Sequence, residues 1–137
     1  MSETKLSGHC YCAAVKFEVS GDSDWIGHCH CESCRRHSGS VMTTFAGFRE
    51  DQVIFTGAMP NRYSSDAGVT RSFCGQCGSP VAYQSSDRPN IIHLQLGLFD
   101  NLESLAPQDH SFKNEKPSWL QADEHLPESD WEHPSED

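Results

Sequence analysis

The chain has 137 residues, a length that suits one domain with a modest core rather than two. Only 36 % of its residues are hydrophobic and 9 % are aromatic, so apolar burial alone is a weak stabiliser and a bound metal is expected to help hold the fold. Ten basic against twenty acidic side chains give a net charge of −10, which argues against nucleic acid or an anionic membrane as a partner.

The cellular compartment is predicted from two features of the sequence. The first residues lack the apolar run of a signal peptide, and no stretch reaches the roughly eighteen apolar residues that span a bilayer. We therefore expect a cytoplasmic protein without a membrane segment. In that reducing compartment seven cysteines are not expected to form disulfides, and an odd number cannot pair fully within one chain. Clustered thiols there favour metal binding.

Taken in chain order, the sequence predicts a mainly β fold. Short segments rich in β-branched and aromatic residues alternate with turn-forming residues, as expected of strands. In the last of these segments Ile92 and Leu94 alternate with His93, so His93 is expected on the polar face of its strand. The predicted strands are 14–19, 41–48, 52–57, 71–74, 80–85 and 91–97.

Helical signal is thin. The stretch ESCRRHSG predicts one or two turns ending at Gly39, and DNLESLA, at 100–106, predicts one short capped turn. We expect a single domain over residues 5–126. The acidic, proline-containing segment 127–137 is predicted to be a poorly ordered tail.

Two cysteine pairs are predicted to form one complete zinc site. A structural zinc takes four ligands, and a Zn–S distance of about 2.3 Å places neighbouring sulfurs roughly 3.8 Å apart. Glycines follow both Cys74 and Cys77, where a zinc knuckle needs tight turns. An extended HCYC segment would place Cys10 and Cys12 on one face. These four thiols therefore predict a structural site that joins distant parts of the chain.

The three cysteines that remain lie in one short loop, at Cys29, Cys31 and Cys34. Three protein ligands with an exchangeable fourth position are typical of a catalytic zinc.

Other interpretations of the cysteines stay open. A histidine could complete the second site as another structural centre; His30 is the least suited, because in an extended segment it points away from its neighbours. The paired thiols could be free and simply buried. Cys10 and Cys12 could instead join the central cluster, leaving Cys74 and Cys77 as a redox pair. Besides His30, the histidines that could complete the second site are His9, His28 and His37.

The cysteine motifs and their flanks resemble one known family, the glutathione-dependent formaldehyde-activating enzymes. The resemblance spans Gly8 to Trp119, and that family shares the Mss4-like, largely β fold with the centromere protein V group. The matching segments are GHCYCAAVKFEV, CHCESCRRHSG, FCGQCGSPVAY, IIHLQLGLFD and KPSW.

The resemblance implies a fold of small antiparallel sheets held together by zinc, with two Zn²⁺ sites. One is a structural zinc on Cys10, Cys12, Cys74 and Cys77, and the other is a catalytic zinc on Cys29, Cys31 and Cys34. It also implies a carbon–sulfur lyase similar to S-(hydroxymethyl)glutathione synthase, which joins a small thiol such as glutathione to formaldehyde or another small aldehyde. A scaffold module without chemistry and a labile zinc reservoir are the competing functions, because one fold hosts many functions.

The three residues that directly follow Cys34 are candidates for substrate binding. Arg35 and Arg36 could bind a substrate carboxylate, since guanidinium groups pair with carboxylates. His37 could move a proton, because its ordinary pKa lies near neutrality. Trp119 could form a pocket wall, although we assign neither it nor His93 a catalytic role.

Overall fold

Ten β-strands and one short α-helix are found among residues 5–129, the part of the chain that the computed structural model describes. Four 3₁₀ turns, at Glu50–Gln52, Leu96–Leu98, Leu102–Ser104 and Lys113–Glu115, connect them. In chain order the elements are β1 (Lys5–His9), β2 (Lys16–Ser20), β3 (Trp25–Cys29), α1 (Glu32–Ser38), β4 (Thr43–Arg49), β5 (Val53–Phe55), β6 (Asn61–Ser64), β7 (Val69–Phe73), β8 (Pro80–Ser85), β9 (Ile91–Gln95) and β10 (Asp109–Ser111).

The strands form two sheets, so the predicted mainly β fold is confirmed. The smaller sheet is antiparallel, in the order β1-β2-β5. The larger one has the order β10-β3-β4-β9-β8-β7-β6 and is antiparallel except at one edge, where β10 pairs with β3 in parallel.

All six predicted strands are present, and four others escaped prediction. β3 is buried along its whole length and β6 is exposed along its whole length, so neither shows the alternation that marks a half-buried strand. The other two strands that escaped prediction are β1 and β10. β9 was predicted to reach residue 97 but ends at Gln95, because the next three residues form a 3₁₀ helix.

The main core lies between the two sheets. Phe17 of the small sheet packs edge-on against Phe99, with ring centroids 5.0 Å apart, and Phe48 of the large sheet lies 6.0 Å from the same ring. Gly8 lets β1 approach closely, because a Cβ there would collide with the Leu98 carbonyl and the Phe17 ring. This packing covers one face of the large sheet.

The other face of the large sheet is also buried at its central strands, which corrects the expectation for His93. That side chain is only 3 % exposed and lies 5.8 Å from the Trp25 ring and 5.7 Å from the Tyr83 ring. Opposite residues on successive strands form one row across this face, which we call the cross-sheet row; its members are Trp25, Gly47, His93, Tyr83 and Arg71.

The C-terminal segment runs along the β10 edge. His110 N–H donates to Pro127 O at 2.9 Å, and His110 O accepts from Ser129 N–H. Of the predicted tail, residues 130–137 lie outside the described residues, and the domain boundary at 126 stays a prediction. Trp119 is 69 % exposed on this segment.

Candidate metal centres

The first centre contains four cysteine sulfurs from two distant parts of the chain. The Sγ atoms of Cys10, Cys12, Cys74 and Cys77 all lie within 4.8 Å of one another. The Cys12 sulfur is 3.7 Å from that of Cys10 and 3.8 Å from that of Cys74. These separations match the roughly 3.8 Å edge of a tetrahedral Zn–S₄ site, so the donor set fits one metal ion.

Local backbone structure prepares these thiols to act as ligands. The N–H groups of Gln76 and Cys77 donate to Cys74 Sγ at 3.3 and 3.4 Å and lower its pKa. The Ser79 hydroxyl, 3.1 Å from Cys77 Sγ, and the Ser79 N–H lower the pKa of Cys77 to about 5. The turn closes at Gly78, whose φ of +81° lies in the left-handed region that glycine adopts readily. These contacts shift Cys74 and Cys77 toward the thiolate form that binds metal.

The other half of this centre has a different backbone from the one predicted. The HCYC segment is a turn rather than an extended strand, because the Ala13 N–H donates to Cys10 O at 3.0 Å and Ala13 adopts a φ of +66°. The Val15 N–H donates to Cys10 Sγ at 3.4 Å. Cys12 is exposed, so water reaches this side of the first centre.

The second centre is local and comes from the junction of β3 and α1. Cys29 ends β3, Cys31 is the N-cap of α1 and Cys34 lies in the first turn of that helix. The Cys34 N–H donates to Cys31 Sγ at 3.3 Å, and the sulfurs of Cys29 and Cys34 are 3.6 Å apart. The helix ends at Gly39, as predicted, with a φ of +76°. The three sulfurs lie within 4.8 Å of one another.

These three thiols are buried, at 2, 3 and 2 % exposure for Cys29, Cys31 and Cys34. Hydrogen bonds with the two neighbouring thiols, together with burial, raise the pKa of Cys31. Three such groups cannot all ionise in a buried space without a cation beside them. The cluster therefore fits a metal ion that supplies this charge.

Sequence reasoning missed a cation at this centre. The Arg71 side chain of β7 donates to Cys34 Sγ from Nη1 at 3.7 Å and from Nη2 at 3.6 Å, and its guanidinium lies 5.0 Å from the centroid of the Tyr83 ring. Arg71 is 3 % exposed. One feature of the sequence could have indicated that Arg71 is buried: it lies two residues after Val69, and alternate residues of a strand share one face.

The predicted substrate-binding residues lie farther along α1. Arg36 is exposed and its Nε lies 2.8 Å from Glu32 Oε2, an ion pair that lowers the pKa of the Glu32 carboxyl. Arg35 and His37 are half-buried. All three follow Cys34 on the same helix, and their role in binding substrate stays a prediction.

The nearby histidines form a network of their own. His28 Nδ1 and Nε2 lie 2.8 and 2.7 Å from Thr44 Oγ1 and Asp123 Oδ2, while His30 Nε2 lies 2.8 Å from His110 Nδ1. Burial, with the charge of His110 adding to it, lowers the pKa of His30 to about 4. Within residues 5–129 no histidine nitrogen joins the three sulfurs inside 4.8 Å.

Comparisons with known proteins agree with this architecture. An uncharacterized lyase of Schizosaccharomyces pombe is 24 % identical over 101 residues, which are 74 % of this chain and 73 % of the relative. A crystal structure of a Rhodobacter sphaeroides protein, 18 % identical, has a TM-score of 0.60 and covers 92 % of this chain and 100 % of its own, so the two share a fold. No helix in the described part of the chain is long and apolar enough to cross a membrane.

Family membership follows from the match along most of the chain. The family model described as glutathione-dependent formaldehyde-activating enzyme matches residues 5–115. That range contains both cysteine clusters and Arg71. The chain belongs to the family of glutathione-dependent formaldehyde-activating enzymes.

Proposed function

We propose that the protein is a zinc-dependent carbon–sulfur lyase that joins a small thiol, such as glutathione, to formaldehyde or another small carbonyl. The observation that carries the proposal is the unequal division of the cysteines: four sulfurs form one cluster, and three sulfurs from a short loop form another. A tetrahedral metal on the second cluster has room for one further ligand. Family membership and the lyase name of the yeast relative support the same reaction class.

In this proposal Cys10, Cys12, Cys74 and Cys77 hold a structural zinc, and Cys29, Cys31 and Cys34 hold the second. When bound, the second zinc supplies a position at which a substrate thiol is held as the thiolate. In the reaction, the thiol sulfur forms a bond to the carbonyl carbon and the carbonyl π electrons move to oxygen. The proton that the thiol loses passes to that oxygen, so atoms and charge balance without another reactant.

The residues of the chain contribute orientation and proton transfer. Burial of the three cysteines excludes bulk water, so a charge that develops nearby interacts strongly with fixed dipoles and cations. Arg35 and Arg36 are proposed to bind the carboxylates of the thiol substrate, and His37 to deliver the proton. We place this reaction in the reducing cytoplasm, where free thiols persist.

A cleft between the end of α1, the start of β4 and the turn after Cys77 has the size of a small-molecule site. It holds about 390 Å³, and both polar side chains, such as Ser38 and Thr43, and apolar ones, such as Met42 and Leu98, line it. Thr43 lies directly opposite Cys29 in the sheet. Its volume is within the range of roughly 300–1,000 Å³ that ligand sites occupy, and we propose that the thiol substrate enters here.

The test is NMR exchange spectroscopy on mixtures of glutathione and formaldehyde. Because the two combine spontaneously, the quantity to measure is the exchange rate with protein relative to buffer alone. We expect the wild-type protein to accelerate exchange and the Cys31→Ser protein, with its first centre intact, to leave the buffer rate unchanged. If no thiol and aldehyde pair exchanges faster with wild type, the protein is a scaffold or a zinc reservoir instead.

A further inference from the structure

Arg71 is a buried cation placed on the second centre by the register of the sheet. It stands opposite Tyr83 in β8 and opposite Tyr63 in β6, at one end of the cross-sheet row. Both of its terminal nitrogens point at a single sulfur, that of Cys34. The Tyr83 ring supports the guanidinium from one side at 5.0 Å, a geometry suited to a cation–π contact.

The charge of the second centre explains why a cation belongs there. Three thiolates around one divalent ion leave a net charge of −1, and the three cysteines are at most 3 % exposed. A buried charge without a partner costs several kcal/mol in general. The negative charge of the first centre is stabilised by water, which reaches the exposed Cys12, and by backbone N–H groups that point at Cys10 and Cys74. At the second centre the Arg71 guanidinium faces the Cys34 sulfur.

We propose that Arg71 is the positioning residue that compensates the charge of the second metal centre, acting through Cys34. The inference rests on the proposed function, since it presumes a metal on Cys29, Cys31 and Cys34. Arginine suits the task because its planar fork offers two donors to one acceptor while keeping its charge under all ordinary conditions. Removing a partner of this kind typically weakens metal binding about 10–100-fold.

The test compares Arg71→Gln, Arg71→Lys and the control Arg62→Gln by zinc competition with a chelator of known affinity. Arg62 lies on the neighbouring strand β6 and is exposed, so its substitution removes the same charge away from the centre. In Arg71→Gln we expect the second zinc to bind about 10–100-fold more weakly and the first zinc to bind as in wild type. Arg71→Lys should lose less affinity, and Arg62→Gln none.

Three results would overturn the inference. They are a second zinc bound by Arg71→Gln within twofold of wild type, an equal weakening of both zincs, and Arg71→Lys as weak as Arg71→Gln. If Arg71→Gln does not fold, Arg71→Met, which also removes the charge, decides: weakening of the second zinc alone supports the role, and unchanged binding refutes it. A wild-type protein that binds only one zinc would instead refute the proposed function, so the two failures are distinguishable.

Discussion

At the scale of single residues, Gly47 shapes the cross-sheet row by lacking a side chain. It stands between Trp25 on β3 and His93 on β9, whose rings meet edge-on across it at 5.8 Å and 81°. A Cβ on Gly47 would lie 2.9 Å from His93 Cδ2, closer than real Cβ atoms approach. The aromatic side of the row therefore depends on a glycine in the middle of a strand.

We predict that Gly47→Ala destabilises the protein by about 1–3 kcal/mol, because the buried His93 ring must shift against its neighbours. Gly97→Ala is the matched control, since a Cβ there meets no atom within 4 Å and its backbone has an ordinary φ. Urea unfolding of both variants gives the two free energies. Equal losses would show that Gly47 has no packing role.

Residue identities in the metal centres were more predictable than their surroundings. The spacing of the seven cysteines sufficed to predict clusters of four and three, because thiol pairs one or two residues apart must converge on nearby space. Arg71 and the burial of His93 could not be predicted in this way. Both depend on which strands are neighbours, and β3, one of the strands involved, shows no alternation in its sequence.

At the scale of elements, the C-terminal segment is held to β3 by histidines. His28 on β3 lies 2.7 Å from the Asp123 carboxylate, and His110 on β10 lies 2.9 Å from the Asp123 carbonyl oxygen. The hydrogen bond from His28 lowers the pKa of Asp123. The contribution of this carboxylate is therefore present above its ordinary pKa and is lost as the pH falls through the lowered value.

We predict that Asp123→Asn speeds hydrogen exchange of the backbone amides of β10 at neutral pH, because the charged acceptor for His28 is gone. Asp87→Asn, which alters an exposed carboxylate in the turn after β8, should leave those amides unchanged. Exchange measured by mass spectrometry on both variants separates the two cases. Unchanged protection of β10 in Asp123→Asn would mean that the backbone pairing holds the segment without this side chain.

Elements with local stop signals were predicted well, and those with non-local partners were not. Gly39 ends α1 as predicted because the left-handed cap is encoded by one residue. β10 consists of three residues that pair with β3, about eighty residues earlier, so nothing in its own sequence marks it.

At the scale of the whole molecule, the two centres differ in what they join. The first links Cys12, after β1 of the small sheet, to Cys74, after β7 of the large sheet, across 62 residues. The second takes its three sulfurs from the junction of β3 and α1, between Cys29 and Cys34. A metal on the first centre therefore closes a long segment of chain and contributes directly to the stability of the whole fold, whereas the ligands of the second lie close together in sequence and close only a short one.

The most direct test of this division is zinc content combined with thermal unfolding for wild type, Cys31→Ser and Cys77→Ser. We predict two zinc ions per chain in wild type. Cys31→Ser should retain one zinc and melt within a few degrees of wild type, and Cys77→Ser should melt about 10 °C lower or more, because it loses the ion that joins the sheets. A single zinc in wild type, or equal melting temperatures for the two variants, would contradict two centres with separate roles.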